Sequence, residues 1–217
     1  MKIFYFLLLF IFTACSSDSS KKFDNIEEIK IDFISTILTK STLYESPFQM
    51  NYNLRTILFS DNVVSLMGDI FVFDRLPHGW KQYEGKTYVK INGFFKEITL
   101  NDMFPRADQK EFLRSYCENF LKHDNNCNYF QGVDPLYNHL DQKLIEVFVV
   151  DHACLTLVFQ PYTVGGCADG PFTVKIPFTE LTGKWQAGNP LEKHLPFTNN
   201  FISSWDKDTL TYNIQEE

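Results

Sequence analysis

Polar and apolar positions alternate most cleanly near residue 175. Phe172, Val174, Ile176 and Phe178 interleave there with Thr173, Lys175, Pro177 and Thr179. Side chains along a strand point to opposite faces in turn, so this spacing predicts a half-buried antiparallel strand with one wet face. Pro177 lacks a backbone N–H and suits a strand end or edge. Upstream, Leu155, Leu157 and Phe159 share one face, with Cys154, Thr156, Val158 and Gln160 on the other. Ile145–Val150 reads as a buried strand that turns back through Asp151-His152-Ala153 to pair with Cys154–Gln160.

The preceding half of the chain is also rich in strands. Met50–Phe59 and Val63–Phe73 are long β-rich runs joined by the turn Ser60-Asp61-Asn62. Asp74–Lys86 reads as a loop holding Pro77, His78, Gly79 and Trp80. Tyr88–Ile91 and Phe94–Ile98 flank Asn92-Gly93, a pair that suits the positive φ angles of a type I′ hairpin turn. Asp108–Lys122 has helical spacing, with Phe112, Leu113, Tyr116, Cys117, Phe120 and Leu121 on one apolar stripe expected to pack in the core. Asp108 and Glu111 resemble a capping box at its start. A second short helix is expected after Asp134-Pro135, with Leu136, Leu140 and Leu144 inward. Ile26–Leu38 is ambiguous: Ile29, Ile31 and Phe33 alternate as in a strand, while its glutamates suit a helix start. Hairpins surrounding two main helices predict an α+β fold.

The N-terminus gives an address. One positive charge at Lys2 precedes the apolar run Ile3–Phe12, which is too short for a membrane span but fits the core of a secretory signal. Phe12-Thr13-Ala14-Cys15 resembles a bacterial lipobox, so residues 1–14 are expected to be cleaved and Cys15 to carry the lipid. An ordinary signal peptide with an incidental Cys15 is the alternative. Residues 15–23 form a polar tether, and a lipid there would hold the protein at the cell envelope. In a Gram-negative host, Ser16 would direct it to the outer membrane, facing the periplasm.

Charge narrows the partners. The net charge of −7 becomes −8 once Lys2 is removed, which disfavours nucleic acid and anionic lipid and mildly favours a basic partner. Four cysteines remain after Cys15: Cys117, Cys127, Cys154 and Cys167. In an exported chain they read as disulfides with three possible connectivities, proximity favouring Cys117–Cys127 and Cys154–Cys167. A zinc site of Cys117, His123 and Cys127 is the rival, although its spacing matches no standard pattern.

Several motifs together carry a family resemblance. Pro161-Tyr162, Gly170, Pro177-Phe178 and Leu181, with KEITLNDMF over Lys96–Phe104, resemble the C-terminal domain of the anti-sigma-V factor RsiV family. DNVVSLMGDIFVF resembles a companion domain found in envelope proteins, including some peptidoglycan deacetylases. The resemblance divides the chain into a β-rich companion domain, residues 24–95, and an RsiV-like α+β domain, residues 96–217. It also assigns Ile26–Leu38 to a strand. RsiV-like proteins bind lysozyme through this domain, so the resemblance implies a lysozyme-like protein or a peptidoglycan-type glycan as ligand.

Candidate chemistry is sparse. No G-x-S-x-G elbow, H-E-x-x-H zinc motif, G-x-G-x-x-G or Walker pattern occurs, and no cofactor is implied. Gly165, Gly166 and Gly170 read as loop geometry, and Asp151-His152 as turn residues rather than a dyad. A glycan site would need exposed aromatics beside carboxylates or amides. His78, Trp80 and Tyr83 in one loop, or Tyr162 beside Gly165-Gly166 and Asp169 in another, are the ligand-binding candidates, with inward packing as the alternative for Trp80 and Tyr162. The expectation is a lipid-anchored envelope binding protein. A wall hydrolase using His78 or His152 and a purely structural lipoprotein are the alternatives.

Overall fold

The computed structural model describes residues 21–41, 49–73, 80–123, 140–161, 163–164 and 171–195. The α+β expectation holds: two antiparallel sheets and four α-helices occur among these residues. The first sheet has the order β1 (Gln49–Phe59), β2 (Val63–Phe73), β3 (Trp80–Ile91), β4 (Phe94–Ile98). The second has β5 (Val147–Val150), β6 (Cys154–Phe159), β7 (Phe172–Pro177). The helices are α1 (Ile26–Ser41), α2 (Leu100–Met103), α3 (Ala107–Lys122) and α4 (Phe178–Leu181).

The segment beginning at Ile26 is a helix, not the strand expected from the resemblance. Two things decide it. Asn25 and Glu28 form a reciprocal cap: the Glu28 N–H donates to Asn25 Oδ1 at 3.0 Å, and the Asp24 N–H and Asn25 Nδ2 donate to the Glu28 carboxylate at 2.9 Å. The apolar stripe then runs Ile29, Phe33, Ile37, all buried at spacing four, while Ile31 is 67% exposed. The strand-like alternation rested on Ile31, which faces solvent.

β3 is longer than expected, because Trp80–Lys86 is paired strand and not loop. This stretch is polar, yet it pairs along β2 and packs against β5, with Tyr83 and Glu84 buried. The turn signals hold well. Asn92 and Gly93 take φ of 53° and 91°, and Lys90 N donates to Asn62 O, tying the two hairpin ends together. β7 alternates buried and exposed as its sequence predicts, whereas β6 is buried from Leu155 to Phe159 on both faces, so the expected wet face of β6 is absent. The short helix expected after Asp134 falls outside the described residues. Leu140 is buried, and a 3-10 turn spans Gln142–Leu144.

Two cores share the first sheet. Beneath α1, Ile29, Phe33 and Ile37 pack with Tyr52, Leu54, Val64, Leu66, Ile70, Tyr88 and Phe95. The tyrosine hydroxyls of Tyr52 and Tyr88 lie in this core with no hydrogen-bond partner. The second core joins Leu58, Val63, Val89 and Ile98 of the first sheet to Leu113, Cys117 and Leu121 of α3 and to the inward faces of β5–β7. A bulge between Thr56 and Leu58 lets β1 serve both cores. The segment after Leu181 lies over this core through Trp185, which is buried.

The sheets meet where β3 crosses β5. A Cβ added at Gly85 would stand 2.6 Å from the carbonyl oxygen of Phe148, so only glycine permits this approach. Gln160 clasps β3 from the side: its amide accepts from Tyr83 N at 2.9 Å and donates to Tyr83 O at 2.6 Å. Val150 N donates to Ser65 Oγ at 2.9 Å, and Ser65 is hydrogen-bonded to Thr87. Polar groups at this seam are thus satisfied across it.

Candidate binding groove on the long helix

α3 is anchored by its inward stripe and its ends. Leu113, Cys117 and Leu121 are buried at spacing four. The start is capped by Gln109, whose Oε1 accepts from Arg106 N at 3.1 Å, and not by the expected Asp108 and Glu111. Glu111 instead pairs with Arg114. Glu118 is buried against Arg114 and Lys122 and accepts from Leu140 N at 3.4 Å. Burial alone would raise its carboxyl, but the Lys122 and Leu140 hydrogen bonds and the Arg114 charge hold it below the usual range.

Beside that stripe, Tyr116, Asn119, Phe120 and His123 follow at i, i+3, i+4 and i+7, which sets them on one face. They line an open cleft of about 540 Å³. That volume is within the range of small-molecule sites. Phe120 is 44% exposed, so it leaves the core stripe that its spacing suggests. Tyr116 is half-buried, its ring 6.0 Å from that of Phe112. Burial first, then the nearby Glu180 charge, raises the Tyr116 phenol, which therefore stays protonated and able to donate. His123 caps the helix end, its Nδ1 donating to the Asn119 carbonyl at 2.6 Å. In the neutral ring this leaves Nε2 as an acceptor. The cleft thus offers two aromatic rings, an amide and a hydroxyl. This combination suits a ligand with apolar faces and hydroxyl edges. A smaller hollow of about 300 Å³ lies between α2, α3 and the 3-10 turn, with Lys110 and Lys143 at its rim.

The expected binding residues are not brought together among the described residues. His78, Tyr162 and Asp169 lie outside them, as do Cys15, Cys127 and Cys167. Trp80 opens β3 opposite Val72. Cys117 and Cys154 are free thiols in this structure, and the partners expected for them, Cys127 and Cys167, lie outside the described residues. Cys117 is taken up by core packing between Leu113 and Leu121, and burial pushes its thiol up to about 12. Burial and then Asp151 raise Cys154 as well. Neither is a thiolate nucleophile at neutral pH. Among the described residues no cluster of three or more His, Cys, Asp or Glu could hold a metal. Asp151 is a turn residue: its Oδ1 accepts from Ala153 N and Cys154 N at 2.8 and 2.7 Å, and His152 is exposed beside it. Sequence spacing contained the groove residues, but it could not separate Phe120 from the buried stripe it adjoins; Tyr116 packs against that core, as its spacing predicts, and lines the cleft as well.

Residues 101–179 match the family model described as "Protein of unknown function (DUF3298)", a stretch that contains α3 and the second sheet. Two solved structures are similar in fold. One is a DUF3298 family protein from Pseudomonas aeruginosa PAO1, with TM-score 0.51 and 14% identity over 71% of this chain and 70% of that one. The other is a member of the same family from Bacteroides fragilis NCTC 9343, with TM-score 0.51 and 17% identity over 76% of this chain and 66% of that one. No curated protein matches the chain.

Proposed function

We propose that this protein is a lipid-anchored binding protein of the cell envelope and that the α3 groove takes a glycan of the peptidoglycan type. The observation that carries the reading is the set Tyr116, Asn119, Phe120 and His123 on one open helix face. Sugars present apolar C–H faces and hydroxyl edges together, which aromatic rings and amide or imidazole groups match. The lipobox-like Phe12–Cys15 supplies the address: cleavage after Ala14, lipid on Cys15, and the outer membrane facing the periplasm in a Gram-negative host. Titration calorimetry with oligomers of N-acetylglucosamine tests the groove. Fully burying a phenylalanine contributes about 1.5–3 kcal/mol and Phe120 has 44% of its surface left to cover, so Phe120→Ala should weaken binding about three- to tenfold. Phe120 is already exposed, so this change should leave the unfolding midpoint nearly unmoved. No saturable heat up to millimolar oligomer would sink the reading.

The RsiV-like motifs favour a second ligand, a lysozyme-like protein. The net charge of −7 would steer a basic partner toward the chain. Binding of lysozyme that persists in raised salt supports this reading. Binding that vanishes with salt reports charge attraction alone.

A further inference from the structure

Two turns lie side by side at one end of the first sheet. β1 ends at Phe59 and β2 begins at Val63; β3 ends at Ile91 and β4 begins at Phe94. The hydrogen bond from Lys90 N to Asn62 O, at 2.7 Å, holds the two ends together. Three large apolar side chains remain exposed there: Phe59 at 37%, Ile91 at 36% and Phe94 at 42%. Lysines accompany them. Lys22 Nζ stands 5.7 Å from the Phe94 ring centre, Lys90 Nζ stands 5.4 Å from that of Phe95, and Lys96 is exposed on β4. Exposed Asp24, Glu28 and Asp61 oppose these three lysines, so the end is close to neutral in a chain that is acidic overall.

The same end receives the N-terminal tether. Phe23 pairs with Phe95 through two backbone hydrogen bonds of 3.0 and 2.8 Å, which places Lys22 beside the hairpin tip. From Cys15 to Lys21 there are six residue steps, which span at most about 22 Å in any conformation. A lipid on Cys15 therefore keeps the two tips close to the bilayer surface.

We propose that this end of the first sheet is a membrane-docking surface, with Phe59, Ile91 and Phe94 entering the interfacial layer and Lys22, Lys90 and Lys96 meeting anionic headgroups. The inference rests on the reading of Cys15 as the lipid anchor. The lipid supplies attachment, and the tips fix orientation. Exposed apolar side chains flanked by lysines suit the boundary between headgroups and acyl chains, where ammonium groups lie at phosphate depth.

The test uses the full lipidated chain in vesicles of phosphatidylethanolamine and phosphatidylglycerol. Phe94→Trp and, as a reference, Ile31→Trp on the solvent face of α1 are compared after subtracting the three native tryptophans. Acyl-brominated lipid should quench the tryptophan at position 94 at least about twofold more than that at position 31. Equal quenching at the two positions overturns the docking proposal. Membrane fractionation of Cys15→Ala tests the anchor separately: release confirms it, and unchanged retention removes it. Release together with equal quenching would leave the anchor standing and the docking refuted.

Discussion

Replacing Gly85 with alanine places a methyl carbon 2.6 Å from the Phe148 carbonyl oxygen and 3.1 Å from its carbonyl carbon. A relaxed carbon–oxygen contact needs about 3.3 Å, so β3 and β5 must part by about 0.7 Å. The obstruction is backbone and cannot rotate away. It also adjoins Gln160, whose hydrogen bonds of 2.9 and 2.6 Å to Tyr83 would have to stretch with it. Overpacking of this kind costs about 1–3 kcal/mol. For a chain of this size that lowers the unfolding midpoint by about 4–8 °C if the cost is near 2 kcal/mol. Gly68 supplies the comparison. A Cβ there meets Ile37 Cδ1, Phe33 Cε1 and the Tyr52 hydroxyl, all at 2.9 Å and all side-chain ends that can give way. Urea unfolding followed by fluorescence, with both alanine variants, should show a clear fall in midpoint for Gly85→Ala at unchanged slope and a smaller fall for Gly68→Ala. An unmoved midpoint for Gly85→Ala, or a larger loss for Gly68→Ala, would refute the claim that backbone contact welds the two sheets.

Three further outcomes are expected. Gln160→Ala removes both hydrogen bonds to Tyr83 and should cost about 1–3 kcal/mol in a denaturant titration, with faster amide exchange near Tyr83. Glu118 has a folded-state carboxyl below its unfolded value, so the stability it contributes is present above the unfolded pKa and is lost as pH falls through the folded one. Glu118→Gln should therefore flatten the acid side of the stability profile, and an unchanged acid limb would refute the assignment. In the native protein Cys117 should resist a thiol reagent that attacks Cys154 slowly, both reacting in denaturant; equal native rates would contradict the burial difference.

The elements most legible in sequence were those fixed by local chemistry. Asn92-Gly93 specifies a turn because few other residues accept positive φ in succession, and β7 alternates because one of its faces is solvated. Tertiary packing decided the others. Ile29 and Phe33 fit both periods, and only the exposure of Ile31 together with the Asn25–Glu28 cap selects the helix. Trp80–Lys86 reads as loop because its polar residues carry no alternation. Its strand character comes from pairing with β2. The groove was hidden for a related reason: Phe120 and Leu121 are adjacent apolar residues on α3, yet one faces solvent and the other is fully buried.

The hydroxyls of Tyr52 and Tyr88 beneath α1 give this chain a built-in point of frustration. Each buried oxygen gives up its hydration without a compensating bond, at a cost of about 1–3 kcal/mol, and lifting α1 returns both to water. The burial of Ile29, Phe33 and Ile37 that holds the helix down is thus partly offset by the same tyrosines that fill its core. A phenylalanine at either position would make the fold more stable and α1 slower to open.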